Sequence, residues 1–266
     1  MLRARLATAA VALPSLFWLI FYGPGWAFGG VVVALTAVGL LEFVTMSAPG
    51  QRSVQAYAIG VGLLFAGTVV VHRTDALGLV LALALALGLV LALVDSDTRG
   101  AVDRLAHGLL AALYVGFLLP HAVRLHAFPD GGPRWVFFVI ACAMAADTSG
   151  YFGGRLAGKT RLFPRVSPKK TVEGAAAAMV GTLLVAVGVA WLLPPPGLTV
   201  AAAFWLGLAL NVLSQTGDLI ESMLKRAYDS KDSGWILPGH GGVLDRIDSL
   251  VLPFVFTYYW NAGLGI

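Results

Sequence analysis

Four carboxylates stand in two pairs toward the C-terminal end of the chain. Asp218 and Glu221 lie in QTGDLIESMLKR, 215–226, and Asp245 and Asp248 lie in KDSGWILPGHGGVLDRID, 231–248. A helix through the first stretch puts Asp218 and Ser222 on one face, with Gln215 and Lys225 a turn or two away and Glu221 beside them. Asp245 and Asp248 repeat the spacing of three, followed by Ser249. Two acidic pairs at the ends of neighbouring helices make an all-oxygen site, which suits a hard cation such as Mg²⁺. Zinc is disfavoured because no second His or Cys lies at ligand spacing from His240. Simple pairing of these acids with Lys225, Arg226, Lys231 and Arg246 is the plainer alternative. The number of groups, their place inside apolar segments and the glycines around them favour a site.

Anion-binding groups gather beside the acids. The segment 155–173 carries six basic residues against the single acid Glu173. Such a loop at a membrane binds lipid headgroups at the least. Within it, SPKKT at 167–171 offers Ser167, Lys169, Lys170 and Thr171 as donors to phosphate oxygens, with Pro168 stiffening an expected turn. In HGG, 240–242, Gly241 and Gly242 let backbone approach a substrate while His240 donates to phosphate, or the three residues form a plain turn. GGRLAGKT, 153–160, satisfies the GxxxxGK[ST] rule for a nucleotide phosphate loop. Its surroundings do not: an apolar span carrying Asp147 precedes it, and Pro164 interrupts any helix that would receive the phosphates.

The elements that must position these groups are membrane helices. Hydrophobic residues make up 58% of the 266 and charged residues only 12%, about half the charged share of a soluble domain. Nine apolar spans are expected, at about 6–22, 26–46, 55–71, 76–94, 105–123, 133–151, 174–193, 199–220 and 248–265. The fold class is therefore all-α and polytopic. Residues 1–130 form N-terminal transmembrane helices, and 131–266 form a catalytic half with loops on one side. The start resembles a signal peptide, but no small-residue cleavage site follows before Trp26, so a retained first helix is expected. Cys142, the single cysteine, excludes an intrachain disulfide and a cysteine metal cage.

Charge orients the spans. Alternating the nine places 15 of the 18 Lys and Arg on the side of the N-terminus and leaves Arg73, Arg124 and Arg134 on the other. This predicts a cytoplasmic N-terminus, an external C-terminus and a site facing the cytoplasm from the cell's inner membrane. The net charge of +4 then reflects topology and gives no reason to invoke nucleic acid. Among the scattered polar residues of the first half, Glu42 reads as a carboxylate snorkelling to the interface or serving a site. His107 and His121 read as packing residues.

The run from Ser222 to Asp248 carries a specific pattern: Ser222, Lys225-Arg226, Lys231-Asp232, Pro238-x-His240-Gly241-Gly242, then Asp245-Arg246-x-Asp248. It resembles the signature of the phosphatidate cytidylyltransferases, or CDP-diacylglycerol synthases. DTSGYFGGR at 147–155, SPKKTVEG at 167–174 and QTGDLIES at 215–222 match the family's upstream elements. The first four or five spans resemble it in hydropathy and length alone.

The resemblance implies reaction of CTP with phosphatidic acid at the bilayer, giving CDP-diacylglycerol and pyrophosphate with Mg²⁺; a second or a monovalent ion and a homodimer are compatible with it. In that setting Asp218 and Asp245 are expected as principal metal ligands, helped by Asp248 and Glu221. Lys169, Lys170, Lys225 and Arg226 would hold phosphates, and His240 with its glycines would shape the same site. Lys231, Asp232 and Arg246 join the substrate-binding set. The rivals are a CTP-dependent lipid-alcohol kinase and an ion-coupled transporter using Asp147, Asp218 and Asp245.

Overall fold

The computed structural model describes residues 2–230, 232–234 and 241–263. The N-terminal half contains α1 (Leu2–Phe21), α2 (Gly25–Ser47), α3 (Arg52–Val70), α4 (Leu77–Leu93), α5 (Thr98–Ala111) and the short α6 (His121–His126). The C-terminal half contains α7 (Gly132–Ala157), strands β1 (Arg161–Phe163) and β2 (Ser167–Thr171), then α8 (Val172–Leu192), α9 (Val200–Ala227) and α10 (Leu244–Ala262). Among the described residues each expected apolar span overlaps a helix, because in hydrocarbon a chain must satisfy its own backbone hydrogen bonds.

Six helical stretches are long and apolar enough to cross a membrane: Gly25–Ser47, Arg52–Val70, Thr98–His126, Gly132–Ala157, Val172–Leu192 and Val200–Ala227. The apolar stretches Val11–Phe21 of α1 and Leu77–Leu93 of α4 are shorter, and α10 opens on Asp245, Arg246 and Asp248. Length and composition thus support six crossings among the described residues, fewer than the nine expected from hydropathy. The span expected at 105–123 is also not one regular helix. After α5 the chain makes a π-helical turn, Ala112–Phe117, where Leu118 N–H donates to the Leu113 carbonyl at 3.2 Å. Pro120 then introduces α6.

One apolar core joins the halves. Leu40 and Phe43 of α2, Val115 of the π turn, Phe138 and Val139 of α7, Leu206 and Leu210 of α9, and Leu244 and Val251 of α10 are all buried in it. By contrast α4, the run LGLVLALALALGLVLAL, exposes Leu79, Leu81, Leu83, Leu85, Leu87 and Leu89, as a helix facing lipid does. Polar packing inside the second half is equally specific. Asn211, fully buried on α9, donates from Nδ2 to Thr182 Oγ1 on α8 at 2.9 Å. Thr182 in turn donates to the Cys142 carbonyl of α7 at 3.4 Å. This chain of donors ties three helices at one level.

The segment SPKKT is a strand rather than the expected turn. β2 pairs antiparallel with β1, with Arg161 opposite Thr171 and Phe163 opposite Ser167. The turn comes earlier, where Val166 N–H donates to the Phe163 carbonyl at 3.1 Å and Pro164 occupies the second position, a place its fixed φ favours. Pro168 is tolerated because a two-stranded hairpin has only edges. Thr171 ends β2 and caps α8, its Oγ1 accepting from Gly174 N–H at 3.1 Å.

Candidate active site

The hairpin lies over a cavity of about 660 Å³ lined from α7, β1, β2, α8, α9 and the start of α10. Its acidic lining is Asp147, Asp218, Asp245 and Asp248, and its basic lining is Arg155, Lys169, Lys170 and Lys225. Equal numbers of opposite charges meet where apolar helices end.

α7, β2, α9 and α10 each supply two of the eight charged side chains, and on α9 the spacing does what the sequence predicts. Gln215, Asp218 and Lys225 face the cavity from one side of the helix. Gln215 is held by Asn211, its Nε2 donating to Asn211 Oδ1 at 2.5 Å. α10 supplies Asp245 and Asp248, brought against α9 where Gly217 faces the Asp248 carbonyl; any Cβ at 217 would collide with that oxygen. Asp147, Asp218 and Asp248 lie within electrostatic range of one another.

Two ion-pair systems organise the charges. Lys170 Nζ lies 2.5 Å from Asp218 Oδ2, joining β2 to α9. Lys225 Nζ sits between Glu221 Oε2 at 2.5 Å and Asp245 Oδ1 at 2.6 Å, and all three side chains are largely buried. Asp245 also accepts through Oδ2 from Ser233 N–H at 3.2 Å, Ser233 Oγ at 2.9 Å and Gly242 N–H at 2.9 Å. A carboxylate so fully bonded has one orientation.

The structure brings most of the expected residues together, and leaves some out. Asp218, Lys225, Asp245, Asp248, Lys169, Lys170 and Thr171 all line the cavity. Glu221 stands behind it, 1% exposed and paired to Lys225. Gly242 binds Asp245, and Gly241 takes φ +78°, a conformation that glycine adopts without strain. Ser167 sits at the far end of β2 opposite Phe163, outside the lining. Arg226 is exposed and donates to the Ser230 carbonyl at 3.2 Å, and the Asp232 carbonyl accepts from Ser230 Oγ at 2.7 Å. Arg246 is exposed within electrostatic range of Asp147. Lys231 and His240 lie outside the described residues.

Asp147 and Arg155 of α7 also line the cavity; both lie in the stretch 147–155 that matches the family's upstream elements but have no individual role in the cytidylyl-transfer reading, and the signal for Asp147 is an acid inside an apolar span. Glu42 is not snorkelling: it is 4% exposed and points across to α10, accepting from Val243 N–H at 3.0 Å and Leu244 N–H at 2.8 Å. His121, by contrast, is a buried packing residue whose Nδ1 lies 2.9 Å from the Phe117 carbonyl.

The phosphate-loop motif has its own outcome. α7 continues through GGRLA to Ala157, and a strand, not a helix, follows Lys159. The backbone N–H groups of Lys159 and Thr160 are turned on an anion, but that anion is Glu173, at 3.0 and 3.2 Å.

For a hard cation the donor chemistry fits, since Asp147, Asp218 and Asp248 present carboxylate oxygens to one cavity. Among the described residues no three Asp, Glu, His or Cys side chains already stand in a metal-holding group. Asp218 and Asp245 instead hold lysines.

The chain matches the model of the cytidylyltransferase family over residues 3–262. It is 33% identical over 288 residues to a phosphatidate cytidylyltransferase of Synechocystis sp., covering 96% of this chain and 95% of that protein. It is 35% identical over 265 residues to one from Brucella abortus, covering 98% and 93%. Against one from Bacillus subtilis it is 38% identical over 157 residues, 59% of this chain and 58% of that one. With a charged cavity at the ends of its C-terminal helices and a family match over almost its whole length, this chain belongs to the cytidylyltransferase family.

Proposed function

We propose that this protein transfers a cytidylyl group from CTP to phosphatidic acid, forming CDP-diacylglycerol and releasing pyrophosphate. The observation that carries the reading is the cavity in which Lys169, Lys170, Lys225 and Arg155 face Asp147, Asp218, Asp245 and Asp248. A phosphate monoester is largely dianionic near neutral pH, with a second pKa of about 6. One of its oxygens attacks the α-phosphorus of CTP, an O–P bond forms, and the bond to the β-phosphate oxygen breaks with pyrophosphate leaving. The nucleophile needs no base; the obstacle is repulsion between anions.

The chain's own groups answer that obstacle. Lys169 and Lys170, on the exposed hairpin, draw the triphosphate in, and Lys225, fixed between Glu221 and Asp245, offsets charge gathering on the leaving pyrophosphate. Asp218, Asp248 and Asp147 would hold Mg²⁺, with Asp245 and Glu221 orienting Lys225 at its edge. Bound there, the ion would neutralise phosphate charge and polarise the reacting phosphoryl group. Lys170, which holds Asp218 in the structure, would turn to a phosphate oxygen as substrate enters and so leave that carboxylate available to the ion.

The arrangement of charge supports a site at the cytoplasmic face of the inner membrane, where a cytosolic nucleotide meets a lipid, with the N-terminus on the same side. The test is pyrophosphate release by the purified protein in detergent on mixing CTP, phosphatidate and Mg²⁺. Release that needs both substrates supports the reading, and none under any divalent ion removes it.

A further inference from the structure

We propose that Glu42 of α2, far in sequence from every signature residue, is a positioning residue for the reaction, setting the orientation of Asp245 through the backbone it grips. The rate measurements below rest on the cytidylyl-transfer reading. The structural claim does not.

A helix leaves its first four N–H groups without intrahelical partners. At the start of α10 three successive amides are taken by two carboxylates. Gly242 N–H donates to Asp245 Oδ2, Val243 N–H to Glu42 Oε1, and Leu244 N–H to Glu42 Oε2. Each oxygen of Glu42 thus fixes one peptide of the turn that presents Asp245. Asp245 in turn holds Lys225, so the chain of contact runs from α2 through backbone to the central cation of the cavity.

The packing around Glu42 shows how closely the site is built on it. An added Cβ on Gly234 would strike Glu42 Oε1, and one on Gly242 would lie 2.7 Å from Oε2. Ser233, next to Gly234, donates twice to Asp245. Glu42 therefore sits where the segment 232–234, the turn 241–243 and the first turn of α10 meet. A carboxylate in that place serves as acceptor to N–H groups on a nearby helix start, which the partial positive charge of the helix end also favours. A general packing role would need only volume at position 42.

The experiment compares Glu42→Gln, Glu42→Asp, Gly234→Ala and the double variant Glu42→Gln/Gly234→Ala in the full-length protein. Glu42→Gln turns an amide NH₂ toward a backbone N–H, and is expected to lower kcat about tenfold or more while KM for CTP and for phosphatidate moves less than about threefold. Glu42→Asp keeps the charge and recovers part of that loss. Gly234→Ala displaces the same carboxylate, so its kcat loss and that of Glu42→Gln do not multiply in the double variant, as expected of coupled neighbours. Independently of turnover, hydrogen exchange at the Val243 and Leu244 amides speeds up in Glu42→Gln while exchange in α3 stays as it was. Full kcat in Glu42→Gln, multiplying losses, or unchanged exchange at those two amides overturns the proposal. Should Glu42→Gln fail to fold, Glu42→Asp and Gly234→Ala decide by the same two measurements. A wild-type protein without turnover defeats the cytidylyl-transfer reading alone, and the exchange rates then judge Glu42.

Discussion

Lys170 and Asp218 face each other across the cavity with Nζ 2.5 Å from Oδ2, one carried by the hairpin and the other by α9. With both side chains partly exposed, at 25% and 32%, the pair itself adds little stability, since such pairs contribute about 0–1 kcal/mol. Its interest is that each partner is the natural binder of a different guest, phosphate for the lysine and a cation for the carboxylate.

Separating the partners should therefore separate the effects. Asp218→Asn is expected to cut turnover by about a hundredfold or more and to shift the Mg²⁺ requirement upward, as loss of a ligand does. Lys170→Met is expected to raise KM for CTP several-fold with a smaller loss in kcat. Steady-state kinetics at varied Mg²⁺ would check both, and equal losses in the two variants without a Mg²⁺ shift would speak against the division of labour.

Asp245→Asn should abolish turnover while expression and folding persist. The amide can still accept from Gly242 or Ser233, but it no longer balances Lys225, which keeps only Glu221. Ser233→Ala removes one of the four contacts named for Asp245 and should be milder, a loss of about 1 kcal/mol in transition-state stabilisation, or roughly fivefold in kcat/KM. Purified variants with matched melting curves supply the comparison. A fully active Asp245→Asn would remove that residue from the site.

Much of this site was legible because helical spacing alone aligned Gln215, Asp218 and Lys225, and because acids inside apolar runs need a reason to be there. What could not be read was contact between distant segments. Nothing near Glu42 in sequence points to α10, about 200 residues away in the chain. The hairpin was also hidden: SPKKT looks like a turn when Pro168 is judged locally, whereas its pairing with Arg161–Phe163 decides its form. Hydropathy found the helices but overstated regularity at 105–123, because a π turn and Pro120 leave the apolar run unbroken.

Glu173 gives a prediction for that hairpin. Its carboxylate accepts from the N–H groups of Lys159 and Thr160, closing the loop before β1. Glu173→Gln should loosen this segment, and limited trypsin digestion should cut after Lys159 or Arg161 several-fold faster than in the wild type. Unchanged cleavage would mean that strand pairing alone holds the hairpin.

Asn211 offers a test of the packing that carries the site. Asn211→Ala breaks its bonds to Thr182 and Gln215, and should destabilise the protein by about 1 kcal/mol, the range seen for hydrogen bonds between membrane helices. Turnover should fall as well, because Gln215 beside Asp218 then keeps only its 3.4 Å bond to the Ala175 carbonyl. Thermal unfolding in detergent and kinetics on the same preparation would report the two effects.

What matters most is which group CTP gives up. Purified protein given phosphatidate, Mg²⁺ and CTP labelled either in the cytidine ring or in the γ-phosphate answers this directly. Cytidine label is expected in the lipid product and γ-label in released pyrophosphate. Lipid carrying only the γ-phosphate would make the protein a lipid kinase, and ion-driven uptake into proteoliposomes with no lipid label would make it a transporter; either result rules out cytidylyl transfer.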